Sequence, residues 1–232
     1  MSKITLTIDD REVEVEEGTT ILEASREVGI EIPTLCYHPD LTLHGACRVC
    51  VVEDLKNEAL VASCVTPVSE GMRLSTRSTK ARRARRRNVI LLLANHPNDC
   101  LGCDRNGSCE LQDITHSLGI TREDVEEISG EVREVQRDEV GPALKRDPNK
   151  CILCGRCVRV CEEVQGVSAL QFSNRGFDSI VTTAFDLPQS EINCANCGQC
   201  ATVCPVGAIT EVSEIQKVWH ALEDEDKHVI AQ

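Results

Sequence analysis

The residues best suited to do chemistry are cysteines in two evenly spaced runs. The first run reads C-x2-C-x2-C-x3-C over residues 151–161, and the second repeats this spacing over residues 194–204 and ends in Cys-Pro. Three thiolates set three residues apart on one loop can hold three corners of a cubane cluster and leave the fourth corner open. Two such runs in one chain predict two 4Fe-4S clusters.

Each run supplies the ligand that the other run lacks. In bacterial ferredoxins with this spacing, the fourth cysteine of each run ligates the neighbouring cluster. The predicted ligand sets are Cys151, Cys154, Cys157 and Cys204 for one cluster, and Cys161, Cys194, Cys197 and Cys200 for the other. The alternative is a pair of zinc knuckles, because C-x2-C pairs also bind zinc. A zinc ion saturates at four ligands, however, so the third cysteine of each run would be left over.

Four more cysteines lie near the N-terminus at the spacing C-x10-C-x2-C-x13-C, and they are Cys36, Cys47, Cys50 and Cys64. Alternating apolar residues predict a β-hairpin over residues 1–16, and Thr19 or Thr20 can cap a helix that runs to about Val28. A short strand pair is predicted between Cys50 and Cys64. This order indicates a β-grasp domain with a 2Fe-2S cluster, although the first gap is longer than in plant-type ferredoxins. His38 and His44 are interpreted as surface or supporting residues, because four thiols already complete the site.

A third pattern, H-x3-C-x2-C-x5-C, lies between these regions. The fifteen cysteines divide into three groups of four and one group of three, and only His96 is close enough to complete the smaller group. Imidazole can replace thiolate at iron and raises the potential of the cluster. The predicted ligands of a third 4Fe-4S cluster are therefore His96, Cys100, Cys103 and Cys109.

Small units must position these sites, and the predicted fold class is α+β. We expect a β-grasp 2Fe-2S ferredoxin domain over 1–78, a small helical His/Cys3 4Fe-4S domain over 79–120, an acidic linker over 121–146, a 2x4Fe-4S bacterial ferredoxin-like domain over 147–211, and a C-terminal helix and tail over 212–232. One Trp, one Tyr and three Phe are few for 232 residues. Clusters are thus expected to replace part of the usual core, which couples metal binding to folding.

Further elements follow from local patterns. Helices are predicted over 77–94, around 111–118 and from Thr121, and strands over 167–172, 180–183 and 205–210. An amphipathic helix is expected near Ile215, followed by a strand over 228–231. The first of these helices carries five arginines, at positions 82, 83, 85, 86 and 87. In an acidic chain, these arginines are predicted to pair with carboxylates of this chain or of a docked subunit.

Charge and hydropathy exclude several classes of protein. A net charge of −13 argues against nucleic-acid binding, which needs a basic face. No stretch approaches the roughly 18 apolar residues of a membrane span, and the N-terminus lacks the apolar segment of a signal peptide. Without an export signal, fifteen cysteines indicate reduced metal ligands rather than disulfides. The predicted location is the cytoplasm.

Taken together, the four ligand sets resemble the N-terminal iron-sulfur region of di-iron hydrogenases. The chain is also similar to the equivalent region of the large iron-sulfur subunit of respiratory complex I and of NAD-dependent formate dehydrogenases. The resemblance covers essentially the whole sequence. It implies one 2Fe-2S cluster and three 4Fe-4S clusters on the residues named above. Glu162 departs from the proline that many ferredoxins have after the fourth cysteine of the first run.

The tail over 217–230 looks like the connection into a catalytic hydrogenase domain. No cysteine follows Cys204, so we expect a truncated form without the hydrogen-activating cluster. Such forms occur as the diaphorase subunit of bidirectional NAD-linked hydrogenases and in electron-bifurcating transhydrogenase or hydrogenase complexes.

The sequence contains no G-x-G-x-x-G, P-loop or nucleophile-base pattern, so flavin and nicotinamide are expected on a partner. We therefore predict an electron-relay subunit of an NAD(P)H-linked oxidoreductase that has no substrate site of its own. It would pass single electrons between a flavin- and NAD(H)-binding iron-sulfur subunit and ferredoxin or a further redox subunit. The alternatives are a diaphorase or formate dehydrogenase subunit, a freely diffusing ferredoxin, and a zinc-stabilised interaction scaffold.

Overall fold

The N-terminal part is built on a β-hairpin, as the alternating sequence predicts. The computed structural model describes residues 2–128, 130–135, 138–140 and 143–230. Strand β1 (Lys3–Ile8) pairs antiparallel with β2 (Arg11–Glu16). The turn places Asp9 and Asp10 at φ angles of 45° and 66°, a left-handed conformation that Asp tolerates better than most residues. The predicted hairpin is confirmed.

Helix α1 (Ile21–Glu27) follows the hairpin and begins at a capping box. The hydroxyl of Thr20 accepts from the backbone N–H of Glu23, and the Glu23 carboxylate accepts from the N–H of Thr20. Thr20, rather than Thr19, is thus the cap. Gly29 then takes a φ of 69° and ends the helix.

Three short strands complete the first sheet: β3 (Val51–Asp54), β4 (Ala59–Ala62) and β5 (Arg73–Ser75). The strand order is β2-β1-β5-β3-β4, with β5 parallel to β1 and antiparallel to β3. Strand β5 is not predicted by the sequence pattern, because a three-residue strand is too short to show alternation. This strand nevertheless occupies the middle of the sheet and joins the two hairpins.

Three helices form the central region: α2 (Thr79–Ala94), α3 (Glu110–Ser117) and α4 (Arg122–Glu126). The arginines of α2 divide into three groups. Arg86 pairs with the carboxylate of Asp124, as predicted. Arg85 is buried and donates instead to the carbonyls of Val49 and Val51, so for this residue the predicted carboxylate partner is wrong. The remaining ones are exposed and make no ion pair with any described residue: Arg82, Arg83 and Arg87.

The C-terminal region contains short strands and two helical turns. In chain order these are β6 (Asp138–Val140), β7 (Leu144–Arg146), α5 (Arg156–Arg159), β8 (Gln171–Ser173), β9 (Ile180–Thr182), α6 (Gln199–Thr202) and β10 (Ile209–Glu211). One sheet has the order β10-β7-β6, and β8 pairs antiparallel with β9. Strands β6 and β7 lie in the interval predicted as a solvated linker. That prediction is wrong at this end, because β7 pairs with the strand that follows the second cysteine run.

Helix α7 (Ile215–Glu223) confirms the predicted amphipathic helix, but its apolar side chains are exposed. The strand predicted over 228–231 is wrong for residues 228–230, which are irregular, and residue 231 lies outside the described part of the chain. Among the described helices, none combines the length and the apolar character needed to cross a lipid bilayer.

Two buried clusters hold these elements together. One lies inside the first sheet and contains α1 residues such as Ile21 and Leu22. The other joins α2 and α3 to the C-terminal region and includes six buried cysteines: Cys36, Cys47, Cys154, Cys157, Cys200 and Cys204. Three of the four cysteine sets thus contribute to the second cluster and Cys109 of the fourth packs against it, whereas Cys50 and Cys64 belong to the first cluster.

Candidate iron-sulfur cluster sites

The N-terminal site consists of Cys36, Cys47, Cys50 and Cys64. All four side chains are buried, and their thiols are linked in pairs. Cys36 hydrogen-bonds with Cys47 and Cys64, and Cys50 hydrogen-bonds with Cys64. The structure thus brings together four residues, the first and last of which are 28 positions apart in the sequence.

Proton sharing within the N-terminal site opposes full ionisation. Hydrogen bonds from neighbouring thiols hold the pKa of Cys36 well below its usual range and lower the pKa of Cys50 to about 6. The same contacts raise the pKa values of Cys47 and Cys64. Four thiolates cannot coexist in this buried space without a cation. The donor set therefore fits a 2Fe-2S cluster, whose iron ions would neutralise the thiolates.

Backbone contacts fix the N-terminal site from two sides. The hydroxyl of Ser63 donates to the carbonyl of Cys50 at 2.8 Å. From α2, Arg85 reaches the carbonyls of Val49 and Val51 at 3.2 and 3.0 Å. Because these carbonyls flank Cys50, the buried arginine fastens the ligand loop to the helix.

The inner site consists of Cys151, Cys154, Cys157 and Cys204, which line one cavity. Three of them come from the first run, whereas Cys204 closes the second run, so the structure places the crossed ligand where the spacing predicts it. Apolar residues such as Val181 and Val206 complete the walls. Burial raises the pKa of Cys151 to about 11 and that of Cys154 to about 12.

The outer site consists of Cys161, Cys194, Cys197 and Cys200, which line a second cavity. Here Cys161 from the first run joins three cysteines of the second run. Cys161 lies in a π-helical turn (Val160–Val164), which replaces the proline-led turn of many ferredoxins. The N–H of Ala169 donates to the Cys161 sulfur at 3.2 Å. Glu162 is therefore compatible with a ligand position at Cys161.

The histidine site consists of His96, Cys100, Cys103 and Cys109. His96, Cys100 and Cys109 line one groove. Burial lowers the pKa of His96, which favours the neutral ring. Its Nδ1 accepts from the N–H of Asn98 at 3.2 Å, and its Nε2 is buried without a hydrogen-bond partner among the described residues. An unpartnered buried nitrogen beside thiols fits a metal ligand.

Cys103 does not line that groove, and its sulfur faces a glycine of the ferredoxin-like region. A Cβ atom added to Gly207 would come within 2.5 Å of this sulfur, so only glycine leaves room for it. Burial is the main reason that the pKa of Cys109 is raised, and the nearby Cys103 thiol raises it further, so the two thiols are close. The structure thus brings the three thiols near one another, with Cys103 at the boundary to the next region.

The histidine site is fastened to the inner site by charged side chains. Arg105 donates to the carbonyls of Ala201 and Cys204, both at 3.0 Å. Glu110 and Arg156 form a two-pronged pair at 2.6 and 2.9 Å. These buried or half-buried arginines were not singled out from the sequence. The one sequence feature that could have pointed to Arg156 is its position between two cysteines of the first run.

The arrangement does not favour a single-ion site. Across the described residues, no three His, Cys, Asp or Glu side chains converge closely enough to bind one metal ion. The thiols of the inner and outer sites instead surround cavities. Cluster ligands at the corners of a cubane are spread in this way, so the donor sets fit 4Fe-4S clusters.

Models of three protein families match successive parts of the chain. Residues 1–79 match a 2Fe-2S iron-sulfur cluster binding domain, and residues 85–124 match the NADH-ubiquinone oxidoreductase-G iron-sulfur binding region. Residues 141–210 match the ferredoxin-like domain of NADH-quinone oxidoreductase subunit 3. The fold and these matches define an iron-sulfur protein with a 2Fe-2S domain and 4Fe-4S-binding domains.

Individual relatives agree with these matches. The chain is 42% identical over 237 residues to the NADP-reducing hydrogenase subunit HndD of Solidesulfovibrio fructosivorans, covering 100% of this chain and 40% of the relative. It is 41% identical to the NADH-ubiquinone oxidoreductase 75 kDa subunit of Reclinomonas americana, covering 88% of this chain and 28% of that subunit. The chain thus spans less than half the length of these curated relatives.

A solved structure matches over nearly its full length. A chain of an NAD+-reducing NiFe hydrogenase in the H2-reduced state superposes with a TM-score of 0.83 and 34% identity, covering 91% of this chain and 88% of that one. The chain belongs to the family of iron-sulfur subunits found in NAD(P)-linked hydrogenases and in NADH-ubiquinone oxidoreductases.

Proposed function

We propose that the chain is an electron-relay subunit of a cytoplasmic NAD(P)H-linked oxidoreductase complex. The observation that carries this proposal is a single buried cluster to which the N-terminal, inner and outer sites all contribute cysteines and against which Cys109 of the histidine site packs. Bound iron-sulfur clusters supply one-electron redox chemistry, for which close packing of the sites is the structural requirement. The chain's own residues hold the ligand loops together and enclose the inner site. They leave Leu101 of the histidine site and Cys197 of the outer site exposed.

We assign one 2Fe-2S cluster to the N-terminal site and one 4Fe-4S cluster each to the histidine, inner and outer sites. The support is the donor chemistry: four mutually bonded thiols, an unpartnered imidazole nitrogen beside thiols, and two cavities with crossed ligands. The proposed domain boundaries follow the same sites, except that β7 belongs with the ferredoxin-like region.

The proposed partners are a flavin- and NAD(H)-binding iron-sulfur subunit, a further redox subunit and ferredoxin. The relatives that support this are named as an NADP-reducing hydrogenase subunit and an NAD+-reducing hydrogenase. Two surface features favour docking. Leu101, between two ligands of the histidine site, is 93% exposed, and Cys197 of the outer site is exposed as well. A second candidate is the diaphorase subunit of a bidirectional NAD-linked hydrogenase, favoured by the match over 88% of the solved hydrogenase chain.

Iron analysis of the anaerobically reconstituted chain tests the cluster assignment. We expect about fourteen iron atoms per chain, together with the electron paramagnetic resonance signal of a reduced 2Fe-2S cluster. Near eight iron atoms without that signal would contradict the assignment. A colourless protein that binds zinc would support the interaction scaffold instead, because zinc sites do not absorb visible light.

Anaerobic purification from the native source tests the relay role. Co-elution with a flavoprotein that oxidises NAD(P)H is expected, and a chain that elutes alone as a monomer would support a freely diffusing ferredoxin. In the purified complex, His96→Cys should change the midpoint potential of one 4Fe-4S cluster. If every spectrum and potential stayed the same, His96 would not be a ligand.

A further inference from the structure

A buried arginine lies between the N-terminal site and the two C-terminal sites. Arg159 is on α5, two residues after the inner-site ligand Cys157 and two before the outer-site ligand Cys161. Only 7% of the residue is exposed. Its guanidinium nevertheless points across the domain boundary, towards the loop that joins Cys36 to Cys47.

All three nitrogens of this guanidinium donate to backbone carbonyls. Nη2 donates to the carbonyl of Cys36 at 2.6 Å, Nη1 to that of Thr42, and Nε to that of Gly155 at 3.3 Å. One side chain thus joins a ligand residue of the N-terminal site to the loop that carries the inner-site ligands. The planar fork of arginine suits this role, because a lysine ammonium cannot reach several fixed acceptors with the same geometry.

The loop from Cys36 to Cys47 makes further contacts with the same region. The backbone N–H of Thr42 donates to the carboxylate of Glu163 at 2.8 Å. The ring of His44 stacks on Phe172 with centroids 6.0 Å apart. Leu41 packs against Val160. The extra length of this loop, compared with plant-type ferredoxins, is therefore occupied by contacts to the ferredoxin-like region.

Arg159 forms no close ion pair with a described residue, although its charge acts on the carboxylate of Glu163: hydrogen bonds from Thr42 lower the pKa of this carboxylate, and the charge of Arg159 lowers it further. No Asp or Glu in the described ranges lies within ion-pair distance of its guanidinium. A buried charge without a counter-ion is costly, and carbonyl dipoles offset only part of that cost. Three candidate ligands would add negative charge as thiolates: Cys36, whose carbonyl accepts from Arg159, and Cys157 and Cys161, each two residues from Arg159 in the chain.

We propose that Arg159 is a positioning residue for one-electron transfer between the N-terminal site and the inner and outer sites. The inference rests on the relay function proposed above. In this transfer one site is oxidised by one electron and the other is reduced by one, and no bond forms or breaks. Arg159 holds the backbone of Cys36 against the turn that carries Cys157 and Cys161, and its positive charge stabilises the electron on either side.

Redox titration of the reconstituted full chain, followed by electron paramagnetic resonance, tests the charge. We expect Arg159→Met to make reduction of the 2Fe-2S site on the order of tenfold less favourable, because the added electron loses a nearby positive charge. For a one-electron couple, tenfold corresponds to a decrease of about 59 mV in midpoint potential. Arg83→Met is the matched control, since it removes an exposed arginine without described contacts, and its potentials should stay unchanged.

Arg159→Lys separates charge from geometry and also serves if the Met variant does not hold its clusters. The lysine keeps the positive charge, so the potential should stay near that of the unaltered protein. It cannot make all three bonds, so backbone amides of residues 36–47 should exchange with deuterium at least several-fold faster.

The two proposals fail in different ways. If the unaltered chain lacks the 2Fe-2S signal, the relay function and this inference are both overturned. If the unaltered chain has the signal and Arg159→Met keeps full iron content with an unchanged 2Fe-2S potential, only the role of Arg159 is overturned. Unchanged deuterium exchange in Arg159→Lys would equally overturn the positioning role.

Discussion

The two cysteine runs share one backbone conformation but lie in different surroundings. Leu153 and Asn196 occupy matching positions, with φ angles of 56° and 50°, and each donates its N–H to the first thiol of its run at 3.4 Å. Gly155 and Gly198 follow with φ angles of 71° and 77° and begin the two helical turns. The spacing of the cysteines therefore imposes the same loop twice.

The residues between the cysteines differ. The first run has Arg156 and Arg159 where the second has Gln199 and Thr202. Both arginines are buried and bond to other parts of the chain, whereas the second run leaves Cys197 exposed. The comparison teaches that the cysteines determine the shape of a ligand loop, and the residues between them determine whether that loop faces the core or the surface.

The largest expected effect comes from removing a cysteine that one run contributes to the other run's site. Cys204→Ser should cost the chain a 4Fe-4S cluster, about four iron atoms, and it should disturb the inner site although Cys204 lies in the second run. The measurement is iron content together with mass-spectrometric mapping of alkylated cysteines. Newly reactive Cys151 and Cys154 are expected, and Cys161→Ser is the reciprocal control. New reactivity confined to Cys194 and Cys197 would show that the ligands do not cross.

Brief treatment of the loaded chain with a chelator should affect the runs at different rates. We expect Cys194 and Cys197 to become alkylated at least about tenfold faster than Cys154, because the outer site is exposed. Burial raises the pKa of Cys154 to about 12. Once its metal is removed, its thiolate population, and hence its alkylation, should rise about a hundredfold from pH 8 to pH 10. Equal rates for both runs would contradict the difference in burial.

Exchanging the intervening residues should have an intermediate effect on stability. Arg156→Gln gives the first run the residue of the second and removes both bonds to Glu110. We expect a loss of about 2 kcal/mol in unfolding free energy, typical of hydrogen bonds to charged groups. The reciprocal Gln199→Arg should change the unfolding free energy by less, within about 1 kcal/mol, because Gln199 is only half-buried at the wall of the outer site. Anaerobic denaturant unfolding measures both, and equal losses would remove the distinction between the runs.

The smallest expected difference between the two runs comes from their glycines. Both Gly155→Ala and Gly198→Ala place a side chain at positive φ, which costs about 1–2 kcal/mol. At Gly155 the new Cβ would also meet the His44 ring at 3.0 Å and Phe172 at 3.2 Å, whereas the space at Gly198 is open. We therefore expect Gly155→Ala to be the more destabilising by about 0.5–1 kcal/mol. Identical unfolding free energies would indicate that the His44 ring moves aside freely.

The sequence predicted the elements whose signals are local. The helix starts near Thr20 and at Thr121 and the spacing within the cysteine runs depend on residues a few positions apart, and the structure contains each of them. Strand β5 was missed because its place in the sheet depends on partners far away in sequence. The interval with β6 and β7 was wrongly predicted as a linker for the same reason: β7 pairs with the distant strand β10, and the acidic composition of the interval gives no sign of this pairing.

Which candidate ligands lie near one another was predictable to a similar extent. Counting cysteines led to His96, and the structure gives that residue a buried nitrogen without a partner. The supporting arginines were not predictable in the same way. Arg85 and Arg159 bond to backbone carbonyls, and a carbonyl leaves no signature in a sequence. Exposed and buried arginines of one helix therefore look alike until the fold is known.

The exchange of Cys161 and Cys204 between the paired sites has a consequence for biosynthesis. With the proposed ligands, the outer site is incomplete until residue 200 has been synthesised and the inner site until residue 204, so neither can be completed on a nascent chain that still lacks the second run. Cluster insertion at either site must therefore follow synthesis of the second run, even though the first run is made about forty residues earlier.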